Sequence, residues 1–167
     1  MESGPVTSKA PIAVRPLRAT DTALDADFVR HLSVDARRLR FFCGVRELSA
    51  AQLKLLCDLD GQKAMAFVAT IQKEGRETAI GVSRYAPSLK DGEREMALAV
   101  ADDWQQQGVG ELLLSRLIDY AKSHGVKLLY SVELADNHMM RELARTLGMH
   151  ARRDPQDARQ VIYSLEL

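Results

Sequence analysis

The chain has 167 residues, a length that fits one domain of ordinary size and leaves little room for a second. Its 23 lysines and arginines balance 23 aspartates and glutamates, and this zero net charge excludes a nucleic-acid binder that relies on an overall basic surface. No apolar run approaches the ~20 residues that cross a bilayer, so we expect no membrane partner either.

The start of the chain is polar and lacks the apolar core of a signal peptide. We therefore expect a flexible leader over residues 1–10, a single domain over residues 11–167 and a cytoplasmic location. The two cysteines, Cys43 and Cys57, have neither the spacing of a zinc site nor that of a disulfide framework, and we predict no metal.

The first third of the chain is predicted to form one strand followed by helices. Apolar residues over 12–17 indicate a short strand. Thr20, Ser33 and Ser49 each indicate a helix start, because a side-chain oxygen there can cap the free N–H groups of the amphipathic segment that follows. The last of these helices is predicted over residues 49–59.

Three strands joined by short turns are predicted next. Residues 64–71, 78–85 and 93–100 are rich in small and β-favouring residues. The turns between them are typical of hairpins, since residues 73–76 contain Glu-Gly and residues 86–92 contain proline and glycine. Short turns of this kind join antiparallel strands in a meander.

The C-terminal half alternates between helix and strand. We predict helices over residues 108–123 and 137–147, and strands over residues 126–134, 149–152 and 160–167. The complete order is one strand, helices, three strands, then helix, strand, helix and two strands. This order predicts a domain of the α/β (α+β) class.

The most informative stretch is Asp102–Gly110, which joins a predicted strand to a strongly amphipathic helix. A helix N-terminus carries free N–H groups and partial positive charge, and glycines let an anion approach them, so a diphosphate is the natural ligand. A P-loop is excluded because Glu111 and Leu112 replace its lysine and hydroxyl residue. A dinucleotide fingerprint is excluded because Leu113 replaces its third glycine. The remaining interpretation is the pyrophosphate loop of coenzyme A.

The pattern Gln105-x-x-Gly108-x-Gly110 resembles the acetyl-CoA signature of the GNAT superfamily of N-acetyltransferases. Asn137, followed eleven residues later by Gly148, resembles the second signature of that superfamily. The chain resembles more closely the catalytic domain of bacterial Pat-type protein lysine acetyltransferases. The segments that carry this similarity are residues 12–21, 39–42, 95–100 and 140–148. The resemblance implies the GNAT fold, a mixed, mostly antiparallel central sheet of six to seven strands flanked by about four helices.

The same resemblance implies that acetyl-CoA binds as a cosubstrate, without a metal, and that a backbone N–H of the fourth strand faces the thioester oxygen. The residues that it assigns to cofactor binding are Leu98, Ala99, Val100, Gln105, Gln106, Gln107, Gly108, Val109, Gly110, Glu111 and Asn137. Asn137 has an alternative role as a helix N-cap. Ala144 stands where many relatives have a tyrosine that protonates the leaving thiolate.

Glu95 is the predicted general base. It opens the strand that leads to the phosphate loop, at a distance that suits the pantetheine arm, and the apolar run after it predicts a desolvated carboxylate. The Pat resemblance places the catalytic glutamate at this same position. The alternative roles are a solubility charge or an ion-pair partner for Arg84 or Arg94, and Glu93, on the same strand face, is the alternative base.

Three functions stay open at this point. The first is acetyl transfer to a primary amine, which is a protein lysine in the Pat-like case. The second is transfer to a small amine or amino acid, and the third is a non-catalytic acyl-CoA-binding regulatory module. Glu95 favours the first two, because a pure binder needs no carboxylate there. The basic and aromatic segment 37–42 is either a core helix face or one wall of the acceptor cleft, and the apolar segment 161–165 allows a homodimer.

Overall fold

A seven-stranded sheet forms the centre of the protein, which a computed structural model describes for residues 10–42 and 45–167. In chain order its strands are β1 (Ala13–Pro16), β2 (Met65–Lys73), β3 (Arg76–Pro87), β4 (Glu93–Val100), β5 (Leu128–Leu134), β6 (His150–Arg153) and β7 (Gln160–Glu166). Neighbouring strands run in the order β1-β2-β3-β4-β5-β7-β6, and every neighbouring pair is antiparallel except β4 with β5. The predicted mixed, mostly antiparallel sheet is confirmed. Cys43 and residues 1–9 of the predicted leader lie outside the described residues.

Five α-helices flank the sheet in the described part of the chain, against the predicted number of about four. They are α1 (Thr22–His31), α2 (Val34–Phe41), α3 (Ala50–Cys57), α4 (Val109–Ser123) and α5 (His138–Thr146). Two predicted helix starts are confirmed, since Ser33 Oγ accepts the N–H of Ala36 and Ser49 Oγ accepts the N–H of Gln52.

Most differences from the predicted elements lie at their ends. The strand predicted over residues 78–85 extends to Arg76–Pro87, because the hairpin between β2 and β3 closes with a two-residue turn. The turn residues, Glu74 and Gly75, have φ angles of 53° and 75°, as a type I′ turn requires. Helix α3 ends at Cys57, two residues earlier than predicted.

α4 crosses β3 at close range because β3 has a glycine at the crossing point. A Cβ atom added to Gly81 would lie 2.8 Å from Cδ1 of Leu113 and 3.3 Å from the carbonyl oxygen of Ala99. Two residues along β3, Ser83 donates its Oγ–H to the carbonyl of Leu113 at 3.0 Å. These contacts fix where α4 lies on the sheet and therefore where its N-terminus points.

β4 presents alternate side chains to the two faces of the sheet. Leu98 and Val100 belong to the core beneath α4, and Ala99 belongs to the core that α1 and α3 cover on the other face. The same alternation places the side chain of Glu95 on the face of Ala99. Helix α2 packs against β4 on this face.

β4 and β5 pair over only three residues each. Residues 93–95 pair with residues 128–130, although β4 continues to Val100 and β5 continues to Leu134. Beyond the last pair the two strands part and leave an opening, referred to below as the β4–β5 cleft. β5 stays paired with β7 over its whole length, so the opening lies on one side of β5 alone.

Replacing Gly81 by alanine should destabilise the fold, because the added methyl group collides with the fully buried side chain of Leu113. Overpacking of this kind costs about 1–3 kcal/mol, measured as the free energy of unfolding in urea. Leu113→Val removes the colliding Cδ1 atom, so Gly81→Ala should cost less in that background. Equal costs in the two backgrounds would contradict the packing assigned to Gly81.

Candidate functional site

Two buried amides of β4 face the β4–β5 cleft. Ala101 donates its N–H to the carbonyl of Ile80 on β3, so the alternation of the antiparallel ladder directs the N–H groups of Leu98 and Val100 the other way, toward β5. β5 no longer pairs with β4 at these positions, so neither amide belongs to a pair of the β4–β5 ladder. Both residues are buried, and buried N–H groups are almost always bonded. The pair is therefore a place for an acceptor atom of a ligand.

The third strand residue predicted to face a thioester, Ala99, is oriented differently, because the ladder directs its N–H toward β3. The turn after β4 is held by two glutamine side chains. Gln105 Nε2 donates to the carbonyl of Val100 at 3.1 Å, and Gln107 Nε2 donates to the carbonyl of Asp103 at 2.6 Å. These bonds set the path of the chain from the cleft into α4.

The turn into α4 leaves a run of backbone N–H groups free. None of the amides of residues 106–111 has an acceptor within the described chain, and the first helical bond joins the N–H of Leu112 to the carbonyl of Gly108 at 3.0 Å. Gln106 and Gly108 have φ angles of 59° and 82°, a conformation that costs little only for glycine. Free amides at the positive end of a 15-residue helix form an anion-binding site.

Gly110 lets the first turn of α4 pack between β4 and α5. A Cβ atom at this position would lie 2.9 Å from Cδ1 of Leu143 on α5 and 3.3 Å from Cδ2 of Leu98 on β4. Of the neighbouring residues, Val109 is buried in the core and Glu111 is exposed. The N-terminus of α4 is thus wedged at the wide end of the β4–β5 cleft.

Glu95 occupies the last paired position of β4, opposite Tyr130, where the cleft begins. Its side chain is exposed, so the expected desolvation of its carboxylate is wrong. The reason is that the apolar residues after Glu95 alternate into the two cores and do not cover the carboxylate. Glu93, on the same face, lies within the paired part of β4, so of the two carboxylates Glu95 is the one beside the opening.

The alternative ion-pair role of Glu95 finds no support in the described residues. Arg84 lies 3.5 Å from the buried carboxylate of Asp25, and Arg94 donates to the backbone carbonyl of Glu93 at 2.8 Å. Burial raises the pKa of Asp25 and lowers the pKa of Arg84, although each charge opposes the shift of the other. Arg84 is therefore engaged in the core of α1 and α3.

A second carboxylate, Glu133 on β5, lies buried near the cleft. It accepts hydrogen bonds from the Oγ–H of Ser131 and, at 3.1 Å, from Nδ2 of Asn137. Burial raises the pKa of Glu133, while these two hydrogen bonds act to lower it. Asn137 Oδ1 also accepts the N–H of Met140 at 3.1 Å and so caps α5. The cap role of Asn137 is confirmed, and its contact with a cofactor stays a prediction.

Helix α2 brings Arg40 over the face of β4 that carries Glu95, since Arg40 and Ala99 line the same small cavity. Glu133 on β5 and Arg40 also interact through their charges. Within residues 10–42 and 45–167 the Arg40 guanidinium makes no hydrogen bond or ion pair, and it lies 4.8 Å from the ring centre of Phe41. Burial, together with repulsion by Arg84, lowers the pKa of Arg40 to about 10, against the attraction of the nearby carboxylates.

Helix α2 is also tied across the cleft. Arg38 forms ion pairs with Asp136, in the turn between β5 and α5, at 2.9 Å and with Asp35 at 3.0 Å. Because α2 packs on β4 as well, it spans the opening on one face, while the N-terminus of α4 lies on the other. This position favours the interpretation of segment 37–42 as one wall of an acceptor cleft.

A separate cavity of about 660 Å³ lies on the far side of β4, between α1 and the ends of β2 and β3. The residues 101–104 form one edge of it, and none of the residues predicted for the site lines it. The predicted chemistry therefore lies outside this cavity.

Sequence reasoning missed Glu133 and Arg40 as residues of the site. A charged residue between Val132 and Leu134 in a strand is a signal that could have marked a buried carboxylate. For Arg40 there was no such signal, because nothing in the sequence separates it from the other arginines of segment 37–42. Only the packing of α2 against β4 brings it to Glu95.

Within the described residues, no three His, Cys, Asp or Glu side chains are grouped so that they could hold a metal ion. None of the helices described is both long enough and apolar enough to cross a membrane.

Comparison with known proteins gives consistent matches over most of the chain. The model of the acetyltransferase (GNAT) family matches residues 28–149. A Pseudomonas aeruginosa protein named acetyltransferase PA5475 is 40% identical over 156 residues, which are 93% of this chain and 84% of that protein. The acetyltransferase Pat of Mycolicibacterium smegmatis is 32% identical over 114 residues, which are 65% of this chain and 32% of that protein.

Among solved structures, the GNAT domain of S. lividans PAT is similar to this chain. The TM-score is 0.83 and the identity is 25%, with 92% of this chain and 89% of that chain covered. The fold expected from the sequence motifs is thereby confirmed.

Glu133→Gln should change how stability depends on pH. A buried carboxyl with a raised pKa binds its proton more tightly in the folded state, so its contribution to stability is lost as the pH rises above the ordinary glutamate value of about 4.3. The wild type should therefore lose stability relative to the variant as the pH rises from about 4 toward neutrality. Urea unfolding across this range measures the difference.

The matched control is Glu142→Gln, which changes an exposed glutamate on α5 and should leave the pH profile of stability unchanged. Parallel profiles for the wild type and Glu133→Gln would contradict the buried state of Glu133.

Proposed function

Since the chain belongs to the GNAT family of acetyltransferases, we propose that it transfers the acetyl group of acetyl-CoA directly to a protein lysine, with Glu95 as the general base. The observation that carries this proposal is the buried amide of Leu98, which faces the cleft beyond the last β4–β5 pair and lies three residues along β4 from an exposed carboxylate. Amides aimed at a developing negative charge and a base beside it are what acyl transfer to an amine requires.

The β4–β5 cleft fits the acetyl-CoA that the family uses as cosubstrate. Acetyl-CoA supplies an activated thioester carbonyl at the end of an extended pantetheine arm. The stretch of β4 from Glu95 to Val100 covers roughly 17 Å, a length comparable to that arm. We assign the arm to this stretch, with the thioester at the Glu95 end and the pyrophosphate at the α4 end.

The N-terminus of α4 is the proposed pyrophosphate site. The amides of residues 106–111 form no backbone hydrogen bond of standard geometry in the described chain, and the helix dipole adds partial positive charge there. Gly108 has no side chain, so nothing at this position blocks the approach of an anion to these amides. The phosphates can thus be held without a basic patch, which agrees with a net charge of zero.

Leu98, the cleft-facing amide nearer to Glu95, is the proposed donor to the thioester oxygen, and Val100, about 7 Å further along β4, is the proposed donor to a carbonyl of the pantetheine arm. The thioester oxygen gains negative charge when the amine attacks the carbonyl carbon, and a donor that already faces the cleft needs no reorganisation at that moment. We assign the role to the amide of Leu98 rather than to that of Ala99, because the ladder directs the Ala99 N–H toward β3.

Glu95 is proposed to remove a proton from the acceptor. A free lysine side chain has a pKa of about 10.4 and is cationic near neutral pH, so it must lose a proton before it can attack. The exposure of Glu95 allows this proton to move to the carboxylate directly or through a water molecule. Ala144 is buried and has no proton to give, so the coenzyme A thiolate is proposed to leave without an acid at that position.

The acceptor is assigned from the surroundings of Glu95. An exposed base suits a lysine that projects from the surface of a large partner, which is the acceptor that the resemblance to Pat-type enzymes implies. A small amine is the second candidate, because Glu95 would serve it equally well. A polyamine fits less well, since Arg40 places a positive charge close to the base. The flexible leader, the cytoplasmic location and the homodimer stay predictions from the sequence.

Glu95→Gln should lower kcat by ~100-fold or more, because the amide cannot accept the proton. The affinity for acetyl-CoA should stay near that of the wild type, since the side chain lies on the other face from α4. Transfer of labelled acetyl to a lysine peptide, and calorimetric titration with acetyl-CoA, measure the two quantities.

Glu93→Gln is the matched control, because Glu93 has the same chemistry and the same strand face but lies within the paired part of β4. Its kcat should stay within a few-fold of the wild type. Unchanged turnover in Glu95→Gln would reject the base assignment. Saturable binding of acetyl-CoA without transfer to any amine would favour a regulatory binding module.

A further inference from the structure

Arg40 is a cation at the cleft that the described residues leave without a polar partner. The other two arginines of α2 are engaged, since Arg38 pairs with Asp35 and Asp136, and Arg37 donates to the carbonyl of Arg30 at 3.2 Å. Arg40 makes no such contact within residues 10–42 and 45–167, and its Cζ atom lies 4.8 Å from the centre of the Phe41 ring. Cys43 and Gly44, which follow α2, carry no carboxylate.

The fold places this cation near three carboxylates without satisfying it. Asp25 is engaged by Arg84, and Glu133 is engaged by Ser131 and Asn137. Glu95 acts on Arg40 through its charge, but forms no ion pair with it. A half-buried guanidinium without hydrogen-bond acceptors is stabilised most by a ligand whose anionic group accepts hydrogen bonds from it.

We propose that Arg40 binds an anionic group of the acceptor, so that the preferred acceptor is an amine with a carboxylate close to it, such as a lysine flanked by aspartate or glutamate. This inference rests on the proposed function, because it assumes that the acceptor amine meets Glu95. It adds the chemical class of the residues around the acceptor lysine.

The charge of Arg40 also explains why a neighbouring anion would matter for this reaction. A cation beside the base opposes the entry of further cations, so a lysine in a basic segment meets repulsion. A lysine with an acidic neighbour brings a compensating charge, and the guanidinium can bind it through two parallel N–H donors. The helix that carries Arg40 is held in place by the ion pair between Arg38 and Asp136, so the donor is positioned before the acceptor arrives.

The experiment uses short peptides with one acceptor lysine. Each pair of peptides differs only in having Asp or Asn at one position, which lies one or two residues before or after the lysine. The wild-type chain should show, for at least one position, a kcat/KM about 10-fold higher with Asp than with Asn, through KM rather than kcat. In Arg40→Gln this ratio should fall to about 1. Arg40→Lys should keep part of the preference, because it keeps the charge and loses the paired donors.

Arg37→Gln is the matched control, since it neutralises an arginine of the same helix that already has a partner, and its Asp-to-Asn ratio should equal that of the wild type. A wild type without any Asp preference overturns the proposal. So does a preference that persists in Arg40→Gln, or an equal loss of kcat for all peptides in that variant. If Arg40→Gln does not fold, as judged by thermal unfolding, the wild-type ratio and its change in Arg40→Lys decide the question.

A binding measurement separates this inference from the proposed function. Calorimetric titration of the same peptides into the protein saturated with coenzyme A needs no turnover. The Asp peptide should bind about 10-fold more tightly than the Asn peptide to the wild type, and the two should bind equally to Arg40→Gln. If no peptide is acetylated but this difference in binding appears, the proposed reaction is wrong and Arg40 still binds the anion. Equal or absent binding of the two peptides overturns the role of Arg40.

Discussion

Pairing between β4 and β5 stops after three residue pairs, and the site depends on this interruption of the sheet. A continued ladder would have bonded the amides of Leu98 and Val100 to β5 and filled the opening with backbone. Leaving a buried N–H without an acceptor costs about 1–3 kcal/mol, a cost that a ligand carbonyl in the cleft removes. The opening is maintained because Gly110 lets the first turn of α4 pack against both Leu98 and Leu143, which wedges a helix N-terminus at its wide end.

The electrostatics of the site are local and are not visible in the net charge of the chain. On the face of α4, the free amides of residues 106–111 offer partial positive charge to an anion. On the opposite face lie an exposed carboxylate, Glu95, and a cation, Arg40, which has no polar partner in the described chain. Glu133 lies across the cleft and links β5 to α5 through Asn137. In the proposed reaction, the face of α4 would hold the cofactor and the opposite face would meet the acceptor.

Features that depend only on residues close together in the sequence were predictable from it. The order of elements, the bounds of β4 at Glu93 and Val100, and the caps at Ser33 and Ser49 all follow from periodicity and capping chemistry. The glycine spacing before α4 indicated an anion site, and the backbone there is free to form one. What could not be predicted depends on contacts between distant segments. The register that ends at Glu95, the exposure of that residue and the approach of Arg40 all follow from how α2, α4 and β5 pack.

The central claim is that the thioester and the pantetheine arm of acetyl-CoA lie against the cleft-facing amides of β4, and amide hydrogen exchange measured by NMR with and without acetyl-CoA tests it most directly. The amides of Leu98 and Val100 should become strongly protected when acetyl-CoA binds, because they gain an acceptor or become shielded from water. Those of Ala97 and Ala99 should change little, since the ladder with β3 already bonds them. Protection that is equal at all four amides, or absent at Leu98 and Val100 while acetyl-CoA is bound, would contradict the account.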